Sequence, residues 1–330
     1  MGRTYLVTGG TGFLGSALVR RLVADGHRVR VFDNNSRGRT DRLASVDGRF
    51  EFQAGDIRDL DAVKRAVRGV DAVCHLAFIN GTEFFYTQPE LVLDVAVKGM
   101  SNVIDACIDA GVRELLLTSS SEVYQTPPTI PTDETAPLVI PDVFNPRYTY
   151  AAGKQINEMM AINYGRRHFD RVVIVRPHNV YGPDMGWEHV VPQFVLRMKA
   201  LANSPDDPVP FPIQGDGTQT RSFIYVDDFT DGLMLAMERG DPLGIYHVGT
   251  MDELTIADVA SQIGAYFGRR VRIVPADLPA GGATRRCPDT AKIARLGFHP
   301  KFSFREGLAL TAAWYAAHAD RAPQERSLSA

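Results

Sequence analysis

Apolar positions along this chain repeat with two different periods, and the alternation between them predicts its architecture. Thr4 to Val7 is a short apolar run of strand type, and Leu14, Leu18, Leu22 and Val23 then mark a stripe of helical period that stops at Asp25-Gly26. Arg28 to Phe32, Phe50 to Ala54, Asp71 to His75, Arg113 to Thr118 and Arg171 to Val175 read as further strands. Between them lie helical segments running through Val67, from about Glu90 to Ala110, and onward from Tyr148. Strand and helix alternating with short loops predict an α/β fold, a doubly wound parallel sheet with right-handed crossovers.

Past residue 177 the pattern changes. Val190 to Ala202 is helical, Asn203 to Pro212 holds four prolines, and the strands become short and separated. We expect residues 1–177 to form the sheet domain and 178–330 mainly a smaller C-terminal α/β lobe. A segment of about 221–240 is expected to return to the first domain, because Phe223 to Val226 has the character of a buried strand and Asp227 caps a helix. The polar stretch 319–330 reads as a poorly ordered tail.

Two helices are apolar on more than one side. Leu91, Val92, Leu93, Val95, Val97, Met100, Val103, Ile104 and Ile108 surround the helix near 90–110, and Ile156, Met159, Met160, Ile162 and Tyr164 surround the one near 148–168. Such helices are either sandwiched within the monomer or meet their copies across a two-fold axis, and a homodimer is expected.

With 330 residues and 45% hydrophobic content the chain can bury a full core. A net charge of −3 with no long basic run argues against nucleic acid as a partner. Cys74, Cys107 and Cys287 are odd in number and far apart, so no disulfide framework and no metal site is expected. No apolar leader precedes the first strand and no run approaches the ~18 residues of a membrane span, so a cytoplasmic protein is expected.

The chemistry begins at the first strand–helix turn, Gly9-Gly10-Thr11-Gly12-Phe13-Leu14-Gly15. Gly9 can take positive φ, Gly12 lets backbone approach a pyrophosphate, and Gly15 permits close helix–strand contact, while the N–H groups of Phe13 and Leu14 face the negative charge. The turn therefore points to a Rossmann dinucleotide domain. Asp33 ends the second strand 18 residues past Gly15. A carboxylate there accepts the adenosine ribose hydroxyls and repels a 2′-phosphate, which favours NAD, although Arg37 and Arg39 lie nearby. Asp56-Ile57 and Leu76-Ala77 fall at strand ends on the ligand-binding edge, a solvated cap being the competing reading of Asp56.

Farther on, Ser119-Ser120-Ser121-Glu122 follows a strand, and Tyr150 and Lys154 are one helical turn apart on one face. Together with Gly9-x-x-Gly12-x-x-Gly15 and Asp33-Asn34, these residues resemble the extended short-chain dehydrogenase/reductase superfamily, in its branch acting on nucleotide sugars. Arg176-Pro177-His178-Asn179-Val180-Tyr181-Gly182-Pro183 and Gly215-Asp216-Gly217-Thr218-Gln219-Thr220-Arg221 are also similar to that branch, so the likeness spans nearly the whole chain. It implies Tyr150 as catalytic base, Lys154 as the group that lowers its pKa and holds the nicotinamide ribose, and Ser120 as the partner of the substrate hydroxyl. A tyrosine of pKa about 10 is too weak a base near neutrality without such help.

The resemblance further implies a nucleoside-diphosphate sugar as substrate. Asn179, Arg221 and one of Arg285 or Arg286 would contact the diphosphate, with Ser121, Val191 and Gln193 nearby. Three departures stand out: Ala96 where the family carries an asparagine, His178 where an aromatic is common, and Gln125 in place of a glycine. The leading expectation is a C4 epimerase working through a transient 4-keto sugar. A 4,6-dehydratase or uronate decarboxylase using Glu122 is the alternative, Glu122 otherwise being a structural residue of its loop, and a redox-inert NAD-binding protein is the third reading.

Overall fold

The structure is a computed structural model that describes residues 2–277 and 284–323. Its elements in chain order are β1 (Thr4–Thr8), α1 (Phe13–Ala24), β2 (Arg28–Asp33), β3 (Glu51–Ala54), α2 (Leu60–Val67), β4 (Ala72–His75), α3 (Thr82–Thr87), α4 (Pro89–Ala110), β5 (Glu114–Thr118), α5 (Thr149–His168) and β6 (Arg171–Pro177). There follow β7 (Val180–Tyr181), α6 (Val190–Leu201), β8 (Val209–Gln214), β9 (Thr220–Ser222), β10 (Ile224–Tyr225), α7 (Val226–Arg239) and β11 (Gly244–Val248). The chain continues through β12 (Glu253–Thr255), α8 (Ile256–Tyr266), β13 (Val271–Ala276), β14 (Arg285–Arg286), α9 (Ala291–Ala294) and α10 (Phe304–Ala317). Of the polar tail, Ala319–Arg321 closes as a short 3-10 turn. Residues 324–330 lie outside the described residues.

The described residues divide into two compact units. The first comprises the chain up to His178 together with Val226–Gly249 and Pro288–His299. Its sheet has seven parallel strands in the order β11-β6-β5-β4-β1-β2-β3. Strand order reverses between β1 and β4, the switch point where a doubly wound sheet opens a crevice at its carboxyl edge. Because helices cover both faces, the central strands are continuously buried: all four residues of β4 and the last four of β5 are inaccessible. On one face, Arg21 of α1 is paired with Asp231 of α7, and Cys74 of β4 lies 3.7 Å from the Met237 sulfur. On the other, α2, α4 and α5 pack on Leu6, Phe32, Val73, Leu115, Leu117 and Ile174.

Local chemistry sets the helix ends. Asp59 caps α2 by accepting from Ala62 N–H, and α4 starts on Pro89 and stops at Gly111, whose φ of 72° is the left-handed cap that glycine adopts without strain. Fully buried side chains on α4, such as Met100 and Val103, each contribute about 1.5–3 kcal/mol. The helices α4 and α5 pack together, and with its amide turned so that the nitrogen faces acceptors, Asn157 donates to the carbonyls of Ala96 (2.9 Å) and Gly153 (3.1 Å). Apolar side chains remain outward on both: Leu93 and Val97 on α4, and Ile156, Met159 and Tyr164 on α5.

Sequence pattern had not assigned 288–299 to this unit. The segment belongs there because Ile293 and Phe298 are buried, Phe298 lying over Gly232 of α7. The returning segment begins at Val226 and extends to Gly249, because β11 pairs with β6 as an edge strand.

The second unit comprises Asn179–Tyr225, Thr250–Cys287 and the residues from Pro300 onward. It contains the parallel pair β8/β13, the three-stranded sheet β12-β9-β14 and the pair β7/β10. Capping boxes at Thr255/Asp258 and Ser303/Glu306 start α8 and α10. Phe194 meets Phe211 edge-on at 5.2 Å, and the buried Tyr315 hydroxyl donates to the Met185 carbonyl at 2.5 Å. Among the described residues no helix is long and apolar enough to cross a membrane.

Candidate active site

The turn after β1 forms a cradle that side chains would fill. Gly9 has φ of 72°, and a Cβ there would meet Ala77 N at 2.7 Å. At Gly15 it would strike the Gly9 carbonyl oxygen at 2.0 Å. At Gly12, by contrast, it would meet only the Gly9 oxygen, at 3.1 Å, so this position is open on its outer side. Among the described residues no side chain caps α1, which leaves its first N–H groups, those of Phe13 and Leu14 among them, directed at the open face.

Around the cradle, Asp33 is oriented by its own loop, accepting from Thr11 N (3.1 Å) and Asn35 N (2.9 Å). Each carboxylate oxygen keeps a second lone pair for a ribose hydroxyl. Asp56 is held by Arg58 and by Asn34 Nδ2 (3.1 Å), and the Arg58 hydrogen bonds keep its carboxyl below the usual carboxylate range. Ile57 is buried against Gly99. The arginines near the ribose edge are engaged: Arg39 pairs with Asp41, and Arg37 lies 4.8 Å over the Phe84 ring. At the end of β4, Leu76 N donates to Thr8 O and Ala77 N to Thr8 Oγ1.

Next to this cradle the first unit brings Ser120, Glu122, Tyr150 and Lys154 together. Ser120 is the N-cap of a 3-10 turn, its Oγ accepting from Glu122 N at 3.1 Å, and it lies close enough to Tyr150 to favour the phenolate. Ser121, the next residue of that turn, is buried. Burial pushes the Tyr150 hydroxyl up to about 12, Ser120 opposes that shift and the charge of Glu122 adds to it. Lys154 Nζ donates to Thr118 O at 2.7 Å, and burial draws its ammonium down to about 7 against the pull of Glu158. Two aromatic rings enclose the tyrosine, Phe78 edge-on at 5.2 Å and Phe85 stacked at 5.1 Å. Gln125 has φ of 53°, a conformation that suits glycine, and its side chain compensates by donating to Glu122 O at 2.7 Å.

Behind these residues runs a buried polar network that sequence reasoning missed. Glu158 receives Arg176 Nε (2.9 Å) and Nη2 (2.6 Å) in a two-pronged pair, and Ser119 Oγ donates to the same carboxylate. Arg176 also reaches the Tyr124 hydroxyl, which meets His247 Nε2 at 2.6 Å, and His247 N donates to Glu134 Oε1 at 2.9 Å. One signal was available: Glu158 lies four residues past Lys154 on the same helix face. Nothing local announced its partner on β6. His178, one of the departures from the family pattern, packs edge-on against His247 at 4.7 Å. The spacing also did not reveal His75, whose Nδ1 meets Thr8 Oγ1 at 2.8 Å while burial lowers its ring to about 3.

Apart from Ser121, the predicted substrate residues lie in the second unit. Arg221 and Arg286 are register partners on the parallel strands β9 and β14, which places two guanidinium-bearing positions side by side. Arg285 is paired with Glu253 at 2.5 Å, an ion pair that an anion would have to displace. Asn179 has φ of 42° and donates its amide to Ser222 O at 2.9 Å. On α6, Gln193 is exposed, whereas the Val191 side chain is buried in the unit and can offer only backbone. Among the described residues no cluster of metal-ligating side chains is present.

Comparison with known proteins agrees with this geometry. Residues 5–249 match the NAD dependent epimerase/dehydratase family. A UDP-glucuronic acid decarboxylase of Arabidopsis thaliana is 34% identical over 319 residues, covering 92% of this chain and 86% of the relative. A dTDP-glucose 4,6-dehydratase from Streptomyces venezuelae, solved with NAD bound, is 32% identical with a TM-score of 0.84, covering 96% of this chain and 98% of that one. The UDP-glucose 4-epimerase of Thermus thermophilus, in complex with NAD, is 29% identical with a TM-score of 0.82, covering 94% and 98%. A glycine cradle with no room for side chains at Gly9 and Gly15, an uncapped helix start and an ordered carboxylate at the end of β2 fit NAD, and this chain is a member of the NAD-dependent epimerase/dehydratase family, whose enzymes are nucleotide-sugar epimerases, dehydratases and decarboxylases.

Proposed function

We propose that this chain oxidises a nucleoside-diphosphate uronate at C4 and decarboxylates the resulting 4-keto acid, in preference to the C4 epimerisation expected from sequence. The observation that carries the reading is the position of Glu122. It lies close enough to Tyr150 for its charge to reach the hydroxyl, and an epimerase has no step that uses a second carboxyl group. Similarity to UDP-glucuronic acid decarboxylases supports the same choice.

In this reading Ser120 hydrogen-bonds the C4 hydroxyl and Tyr150 accepts its proton. NAD held in the cradle supplies the acceptor for the C4 hydride. Lys154 contributes positive charge beside the phenolate. The carbonyl formed at C4 lets the C5–C6 bond break, carbon dioxide leaving while its electron pair stays on C5 as an enolate. Glu122 takes a proton from water and passes it to C5, returning to the carboxylate, and Tyr150 returns its own proton to the C4 oxygen as that carbon is reduced again. Elimination across C5 and C6 would need a further acid for the leaving hydroxyl, and Ser121 is not one. Arg221 and Arg286 serve the diphosphate.

The outward apolar residues of α4 and α5 support a homodimer through these helices. The test of the reaction is to incubate the protein with a panel of nucleotide sugars and uronates and follow product mass. Loss of one carbon dioxide from a uronate is expected, abolished in Tyr150→Phe and strongly reduced in Glu122→Gln. An isomer of unchanged mass, with Glu122→Gln fully active, returns the reading to an epimerase.

A further inference from the structure

Lys154 is a three-donor cation buried in the protein with one hydrogen-bond acceptor among the described residues, the Thr118 carbonyl at 2.7 Å. Its other close neighbour is a ring. Nζ lies 4.0 Å from the centroid of Phe78, compared with 6.0 Å from that of Tyr150. Room for the ring comes from two small residues: a Cβ added at Gly153 would stand 3.1 Å from Phe78 Cζ and 2.8 Å from Ala96 Cβ. Phe78 thus occupies a slot between α4 and α5 that neither helix could offer if position 153 carried a side chain. It touches both members of the Tyr150–Lys154 pair, edge-on to one and face-on to the other.

We propose that Phe78 is a positioning residue for Lys154, the face of its ring holding the ammonium charged and fixed against the Thr118 carbonyl where no carboxylate bonds it. The inference rests on the reading in which Lys154 supplies positive charge to Tyr150. The physical need is clear from the surroundings: burial alone favours the neutral amine. A desolvated ammonium over an aromatic face regains part of the lost solvation, because the ring quadrupole presents negative charge to it. The other titratable groups around the amine are His75 on β4, Tyr150 and Glu158 on its own helix, with Arg176 on β6 acting through Glu158 and Glu122 after β5 reaching Tyr150. Of these only Glu158 opposes neutralisation, and its carboxylate is already shared with Arg176 and Ser119.

The test follows the amine itself. Protein carrying 13Cε-lysine, free of added substrate, is titrated by NMR, with the Lys154 signal assigned by its loss in Lys154→Arg. Phe78→Leu is expected to lower the midpoint of Lys154 by about one pH unit, while Phe78→Tyr, which keeps the ring face, leaves it in place. A midpoint in Phe78→Leu that is unchanged or higher overturns the proposal, since the ring would then act only by excluding water. If circular dichroism shows Phe78→Leu unfolded, Phe78→Met, of similar volume and without a ring face, supplies the same readout. Tyr150→Phe separates the two readings: full decarboxylation in that variant sinks Tyr150 as base, whereas the Lys154 midpoint still reports on Phe78.

Discussion

Replacing Glu158 with glutamine should be among the most damaging changes available in the first unit. The side chains of Glu158 and Arg176 are each 3% exposed, and the carboxylate takes two bonds from the guanidinium and one from Ser119. Glutamine keeps the shape, but it leaves the arginine charge buried without its counter-ion and turns one N–H toward an N–H donor. Removing one member of a buried pair costs about 3–5 kcal/mol, a large fraction of the ~5–15 kcal/mol that holds a protein folded. A loss near 4 kcal/mol corresponds to a fall in Tm of roughly 8–16 °C for a domain of this size. Urea unfolding followed by far-UV circular dichroism measures it. The double variant Glu158→Leu/Arg176→Met should recover most of the loss, since burying a charge is what makes the single change costly. A Glu158→Gln protein within about 1 kcal/mol of the parent would refute the reasoning, because the carboxylate would then be solvated or replaceable by water.

Three further outcomes are expected. Gly15→Ala, whose Cβ would sit 2.0 Å from the Gly9 oxygen, should disrupt the turn and lower stability, whereas Gly12→Ala should fold normally and weaken NAD binding tenfold or more, as calorimetry with NAD will show. His75 and His247, lowered by burial to about 3 and about 4, bind a proton in the unfolded chain before they do so in the native one. Stability should therefore fall as pH drops below about 6.5, each histidine adding up to ~1.4 kcal/mol per pH unit, and His247→Gln should flatten the slope in denaturation curves taken between pH 7.5 and 5. Arg286→Ala should weaken binding of a nucleoside diphosphate by tenfold or more while Arg285→Ala changes it little, because Arg285 is already paired with Glu253; equal losses in a binding titration would contradict the assignment.

Much of the site was written in local spacing. Glycines three apart, a carboxylate at the end of β2 and a Tyr/Lys pair one turn apart are constraints that short stretches of chain impose on themselves. The two-sided apolar character of α4 and α5 was legible in the same way, and the structure divides it into a mutual contact and an outward face. The pairing of Arg285 was not legible, because it depends on where a glutamate 32 residues away comes to rest.

What the sequence by itself determined is the set of elements and the cofactor half of the site: period-2 and period-3.6 patterns, glycine tolerances and capping are properties of neighbouring residues. Only the tertiary structure decided the surroundings in which Tyr150 and Lys154 work. Phe78, Phe85, Glu122, Glu158 and Arg176 come from five separate stretches, and desolvation and charge act through space, so the electrostatics of the pair exists only once the sheet and its helices have closed around it.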